Sequence, residues 1–208
     1  EIKADADVLD KVEPADRAEF LGKAYSAGAT AFEQDESAKQ QIVEINKKVY
    51  DRSDPHQNQI YDTCKKWSLE YFDQTYSILG LTPFEKNYME SEIAADGKSL
   101  TLEHISDGVF EESDGAVVFK GEQFGLHTRV FINSAGLPTY EAKDLGNAAR
   151  KWNDYHYDRS IIITGQEQAE YFKVMLKALE QFEPQQARST THIPHGIVKL
   201  NTGKMSSR

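Results

Sequence analysis

Tyr140 and Asp144 stand four residues apart in TYEAKDLGNAARKW (139–152), so on a helix their side chains share one face. A carboxylate there is a candidate partner for a cation, because guanidinium and carboxylate pair through two parallel hydrogen bonds. The competing reading is a solvated helix face, and for the pair alone it is the favoured one. Gln168 sits just past the apolar run SIIIT (160–164) and could add a neutral hydrogen bond, or simply lie on the surface. The six residues GKMSSR (203–208) hold a glycine, a lysine and two serines, the residue types of a phosphate-handling loop. They fail the P-loop spacing, which needs two glycines five apart and then Lys-Ser/Thr; Gly196 and Gly203 are seven apart and Met205 follows Lys204. HIPH (192–195) offers two imidazoles for zinc, yet no third ligand is near in sequence, so no metal site is expected. Lys143, Arg150 and Lys151 read as solvated charge.

Such residues act only if ordered elements bring them together. Up to about residue 80 the pattern is helical: Phe20, Leu21, Ala24, Tyr25 and Phe32 recur at helical spacing. Asp35 is placed to cap a second helix carrying Ile42, Ile45 and Val49. Ile60, Cys64, Trp67, Tyr71 and Ile78 trace a third stripe that stops at Gly80. Between 81 and 127 the signals shorten to a weak strand, a short helix near 98–107, and the hairpin EESDGAVVFKGEQFG with its turn at Asp114-Gly115.

After residue 127 the pattern alternates. TRVFI (128–132) reads as a buried strand, NSAGLP as a turn, and 139–152 as a helix with Ala142, Leu145, Ala149 and Trp152 inward. SIIIT reads as a second buried strand, followed by a helix to about Phe182 with Phe172, Met175, Leu176 and Leu179 on its core face. GIVKL (196–200) reads as a third strand. Strand and helix alternating in this way imply a parallel sheet with right-handed crossovers, whose ligand edge lies at the carboxyl ends of the strands. NSAGLPTY, TGQEQ and NTGKMSSR would then converge on one edge.

The bulk numbers exclude several classes. A chain of 208 residues, 39% hydrophobic and 11% aromatic, can bury a sizeable core and is not disordered. Its net charge of −10 argues against coating nucleic acid or an anionic membrane. Residues 184–208 carry four basic side chains and no acidic one, leaving −14 for residues 1–183, so an anionic ligand is drawn to that end. Cys64 is the only cysteine; no disulfide or cysteine zinc site is expected, and it reads as a small core residue. Without a membrane-length apolar segment or an opening signal peptide, a cytoplasmic protein is expected; the initial Glu1 suggests excision from something longer.

Taken together, GLHTRVFINSAGLPTYEAKDLG (125–146), TGQEQAEYFKVML (164–176) and HIPHGIVKLNTGKMSSR (192–208) resemble the second half of the catalytic core of the arginyl-tRNA synthetases. These are class I aminoacyl-tRNA synthetases. WSLEYFDQTYSILGLTPFEKNYMESE (67–92) and FEESDGAVVFKG (110–121) resemble that family's insertion between the halves of its nucleotide fold. The resemblance implies an α/β fold: the second half of a class I Rossmann-like nucleotide-binding fold, with parallel strands and crossover helices, preceded by a mainly helical insertion. On that basis residues 1–127 are the connecting insertion, and residues 128–208 are the half-core ending at GKMSSR.

The resemblance also implies roles. The family activates arginine with ATP, with Mg2+ on the nucleotide, and passes the arginyl group to tRNA(Arg); no bound prosthetic group and no membrane are involved. Tyr140, Asp144 and Gln168 stand at positions that recognise arginine, with Gln166 the less favoured register. His195, Gly196, Ile197 and Val198 resemble the segment lining the adenine pocket. Lys204 matches the first lysine of the family's signature loop, which binds ATP and stabilises charge as pyrophosphate leaves, making Lys204, Ser206 and Arg208 the catalytic candidates. The loop's second lysine is replaced by Ser207, with Arg208 one place later. The family's histidine-x-glycine-histidine signature does not occur; HIPH imitates it ahead of a strand. The first core half and the anticodon-binding domain of the same polypeptide are thus implied partners, and the chain alone is expected to be inactive. The alternative is a non-catalytic binding or interaction module reusing the half-fold.

Overall fold

The computed structural model describes residues 6–196, 199–200 and 203–204. They divide into two compact units, one ending at Glu85 and the other running from Lys86 to Lys204. Each is built on its own logic.

The first unit is helical: α1 (Ala6–Leu9), α2 (Arg17–Gln34), α3 (Glu36–Asp51) and α4 (Pro55–Ile78). Asp35 caps α3 as expected, its carboxylate accepting from the amides of Ser37 (2.8 Å) and Ala38 (3.1 Å). Asp54 does the same for α4, followed by Pro55 at the first helical position. The helix end near Gly80 also forms, with Gly80 at φ +68°. The expected stripes are buried far less than their spacing implies. Trp67 is sealed, with Phe20 edge-on at 6.4 Å and the Arg17 guanidinium 4.6 Å over its ring. Tyr25, Phe32, Ile45, Tyr71 and Ile78 stay exposed, and Cys64 is only half-buried. Around Ile45, Gly28, Ala31 and Ala38 are too small to fill the space before Ile42, Val49 and Ile60, and a groove of about 420 Å³ stays open.

The second unit begins with α5 (Glu90–Glu103), starting well before the short helix expected near 98–107. Gly97 hid it: a glycine inside a helix lowers propensity, but here it lets α5 cross closely over α6 (Tyr140–Tyr155). A Cβ at Gly97 would meet the Ala142 carbonyl oxygen at 1.9 Å, and one at Gly146 the Ile93 carbonyl oxygen at 2.4 Å. The expected hairpin forms from β1 (Glu111–Ser113) and β2 (Ala116–Phe119), with Asp114 and Gly115 both at positive φ.

The strand at 128–132 was expected to open a parallel series. As β3 (Arg129–Ile132) it pairs antiparallel with β2 instead, Val118 opposite Val130. The short link from 120 to 128 cannot make the crossover a parallel partner needs, so the chain turns back on its neighbour. Phe110, Phe119 and Phe131 fill the space beneath, Phe110 and Phe131 with ring centroids 4.8 Å apart.

The parallel pairing lies later in the chain. β4 (Ser160–Gly165) pairs in parallel with β5 (Thr190–His195) through α7 (Ala169–Phe182) and α8 (Pro184–Ser189). This makes the unit α/β with a true crossover, but the partner lies upstream of the expected 196–200. Pro194 masked it; proline is tolerated on an edge strand, where one side of the ladder is free. HIPH is therefore inside a strand rather than ahead of one. Lys199–Leu200 (β6) pairs antiparallel with Gly203–Lys204 (β7). SIIIT is buried on one side only: Ile162 packs against the core, while Ile161 and Ile163 are 53% and 65% exposed. On α6, Ala142 and Leu145 are sealed, with Ala149 and Trp152 half-buried; on α7, Phe172, Met175 and Leu179 are sealed and Leu176 half-buried. No helix of the described residues is long and apolar enough to cross a membrane.

Candidate functional site

The start of α6 is fixed by its entry turn. Asn133 closes the turn through its side-chain oxygen, which accepts from the amides of Ala135 and Leu137, each at 3.0 Å. Gly136 takes positive φ there, and the Lys98 ammonium donates to its carbonyl at 2.7 Å. The Thr139 hydroxyl then donates to the Val130 carbonyl at 2.7 Å, pinning the helix start to β3. Tyr140, the first residue of α6, is 68% exposed, with the Lys143 ammonium 5.2 Å from its ring centre. Asp144, one turn on, is largely withdrawn from solvent.

Asp144 is surrounded by donors that are mostly neutral. The Tyr171 hydroxyl donates to its Oδ2 and lies 2.9 Å from the Tyr140 carbonyl oxygen. The Asn147 side chain is a further partner, and Lys151 acts on it by charge alone. Burial raises the Asp144 carboxyl above its usual range, against the opposing effects of Tyr171, Asn147 and Lys151. Burial likewise lowers the Lys151 ammonium, which donates to the Ser160 hydroxyl at 2.9 Å. The Tyr171 phenol is pushed up by burial first and by Asp144 second.

Of the charges read as solvated, Lys143 and Lys151 are withdrawn, while Arg150 keeps part of its exposure but is paired. Lys143 is buried and paired with Glu90 on α5, and Arg150 holds Asp96 and the Glu92 carbonyl. Lys151 is half-buried at the base of β4. Helical periodicity misled here because these long side chains reach across to α5 or to the strand.

Gln166 and Gln168 lie exposed in the single turn joining β4 to α7, and Tyr171 sits one turn further on. Gly165 is opposite His195 in the parallel ladder, so this turn and Gly196 leave the sheet at the same edge. His195 is exposed, its Nδ1 2.7 Å from the Gly196 carbonyl. His192 bonds Thr164 at 2.8 Å and stacks on Phe172 at 4.2 Å, so the two histidines of HIPH do different things. Among the described residues no group of three or more His, Cys, Asp or Glu side chains could hold a metal ion. Ile197, Val198, Ser206, Ser207 and Arg208 lie outside the described residues, and Lys204 is placed by its backbone in β7. The structure thus joins the starts of α6 and α7 through one tyrosine, beside the carboxyl edge of β4 and β5. Tyr171 had gone unread because it precedes a core phenylalanine; its only sequence signal was its place three residues after Gln168 at a helix start.

Residues 6–208 match the family described as tRNA synthetases class I (R), catalytic domain. Over 197 residues the chain is 28% identical to the arginine–tRNA ligase of Borrelia garinii subsp. bavariensis, covering 91% of this chain and 33% of that one. It is 31% identical over 162 residues to the arginine–tRNA ligase of Porphyromonas gingivalis, covering 77% and 27%. The chain therefore spans about a third of the length of the curated relatives it matches. The crystal structure of arginyl-tRNA synthetase from Plasmodium falciparum superposes with a TM-score of 0.63 at 17% identity, over 77% of this chain and 28% of that one. That likeness is one of fold, and it agrees with the α/β unit carrying the Tyr140 helix. On the family match across nearly its whole length, the chain belongs to the class I tRNA synthetases (R), within their catalytic domain.

Proposed function

We propose that this chain is the part of an arginine–tRNA ligase that selects arginine and holds ATP while arginyl-adenylate forms, before transfer to tRNA(Arg). One observation carries the reading. Asp144 is a withdrawn carboxylate whose direct partners are the neutral Tyr171 and Asn147, at the start of a helix beside the carboxyl edge of a parallel pair. A carboxylate held this way is costly without a cation, and a guanidinium would match it through two hydrogen bonds. Tyr140 is the exposed flank of that cation's path, and Gln168 the neutral contact from the next helix start. His195 and Gly196, with Ile197 and Val198, would line the adenine pocket. Lys204, with Ser206 and Arg208, would meet the phosphates, whose Mg2+ arrives as part of the nucleotide.

The same reading assigns residues 128–208 to the second half of a Rossmann-like core and 1–127 to a connecting insertion, of which 86–127 pack with the core. The exposed face of Ile161, Ile163 and Ile193 supports it, because parallel strands are covered on both faces. The remaining core half and an anticodon-binding domain would be supplied by the same polypeptide.

Asp144→Asn in the full-length protein tests the arginine site. The exchange keeps shape and removes charge, so kcat/KM for arginine should fall about ten- to a hundredfold in ATP–pyrophosphate exchange, with the KM for ATP little changed. Equal losses for both substrates would make Asp144 structural.

A further inference from the structure

We propose that Tyr171 is the positioning residue of this site: its hydroxyl bridges the Tyr140 backbone and the Asp144 carboxylate, fixing the first turn of α6 and the aim of the carboxylate at a cationic side chain. This rests on reading that turn as the arginine site.

The argument begins with proton counting. A phenol carries one proton and accepts through its lone pairs. Two acceptors lie against Tyr171 Oη: the Tyr140 carbonyl oxygen at 2.9 Å and Asp144 Oδ2. With Asp144 ionised, both compete for the single phenolic proton. With Asp144 protonated, the carboxyl needs no donor and the phenolic proton goes to the carbonyl, so the donation from Oη to Oδ2 favours the ionised form. A bound guanidinium favours the ionised form by supplying the donors that one phenol cannot. Tyr171 therefore links arginine binding to the protonation of Asp144.

The tyrosine is built to hold its place. Its ring is 6% exposed and meets Phe172 edge-on at 4.7 Å, so the hydroxyl is aimed by the core. Other charged groups face the pair. Lys151 from α6 favours the Asp144 carboxylate and Glu90 from α5 opposes it, while Glu141 and Arg129 act on Tyr171 in opposite senses. Glu141 and Arg129 are themselves paired at 3.3 Å. None of these side chains substitutes for a donor fixed to both Tyr140 and Asp144.

The test uses the full-length protein with ATP–pyrophosphate exchange across pH. Tyr171→Phe should lower kcat/KM for arginine about ten- to a hundredfold, with the KM for ATP changed by less than about twofold. The carboxylate loses a donor, so the acidic limb of the arginine profile should move to higher pH. A merely structural tyrosine would not move that limb. Should Tyr171→Phe fail to fold, 3-fluorotyrosine at position 171 decides alone: a stronger donor in the same place should move the limb to lower pH, and an unmoved limb overturns the proposal. If Asp144→Asn impairs arginine use and Tyr171→Phe does not, the positioning role falls and the site reading stands. If neither variant affects arginine selectively, the site reading itself falls.

Discussion

In the unit from Lys86 to Lys204, Phe119, Phe131, Ala142, Leu145 and Ala178 are all at 0% exposure; in the unit ending at Glu85, Tyr25 is 57%, Phe72 47% and Ile78 85% exposed. Both regions show apolar residues at regular helical spacing. The difference is what stands opposite. Helices α6 and α7 face each other, the aromatic floor under β1–β3, and the close glycine crossing with α5. Helices α2 to α4 face one another across small residues, and the groove between them stays open. An amphipathic period says which face a helix offers; burial needs a second layer that fills it. The closed unit is also the one that can keep Asp144 and Lys151 withdrawn from water, since the surrounding packing opposes their solvation.

The largest test of this contrast substitutes one aromatic residue in each unit. Phe131→Ala should destabilise the chain by about 3–5 kcal/mol, while Tyr25→Ala should stay within about 0.5 kcal/mol, read from urea unfolding. Comparable losses would mean that the helical unit is better packed than its exposures indicate. The glycines give a middle-sized test of opposite sign. Gly146→Ala drives a Cβ into the Ile93 carbonyl and should destabilise by about 1–3 kcal/mol. Gly28→Ala meets nothing within 4 Å on a helix interior and should stabilise by about 0.4–1 kcal/mol. A stabilising Gly146→Ala would break the claim of close α5–α6 contact.

The smallest effect concerns the parallel pair. Burial lowers the His192 imidazole, so the unfolded chain takes up the proton more readily than the folded one. Its contribution to stability is then fully present above the unfolded value of about 6.5 and lost as pH falls from there through the lower folded value. The urea midpoint of the wild type should therefore drop more steeply between pH 7.5 and 5.5 than that of His192→Gln. Parallel curves would mean that the stacked imidazole is as free to ionise as one in water.

Local chemistry was legible in the residues. Asp35 as a cap, Asp114-Gly115 as a hairpin turn, Gly80 as a helix stop and the helix after SIIIT all depend on neighbours a few positions away. The likeness of 125–146, 164–176 and 192–208 to one family could also be read there, and the family match bears it out. Three features were not legible. The partner of β3 depended on which strand lay nearest after a short link, and β5 was hidden by Pro194. Lys143 and Lys151 looked like surface charge, and Tyr171 drew no reading, because their partners, Glu90, Ser160 and Asp144, lie 53, 9 and 27 positions away.

The sequence by itself therefore determined the local elements, the family, and the residue types offered at the start of α6. Tertiary structure decided which strands pair, which stripes are covered, and the ionisation setting of Asp144. The physical reason is range: caps, turns and periodicity act within one or two turns of chain, whereas desolvation and hydrogen bonding at Asp144 are set by whatever the fold packs against it.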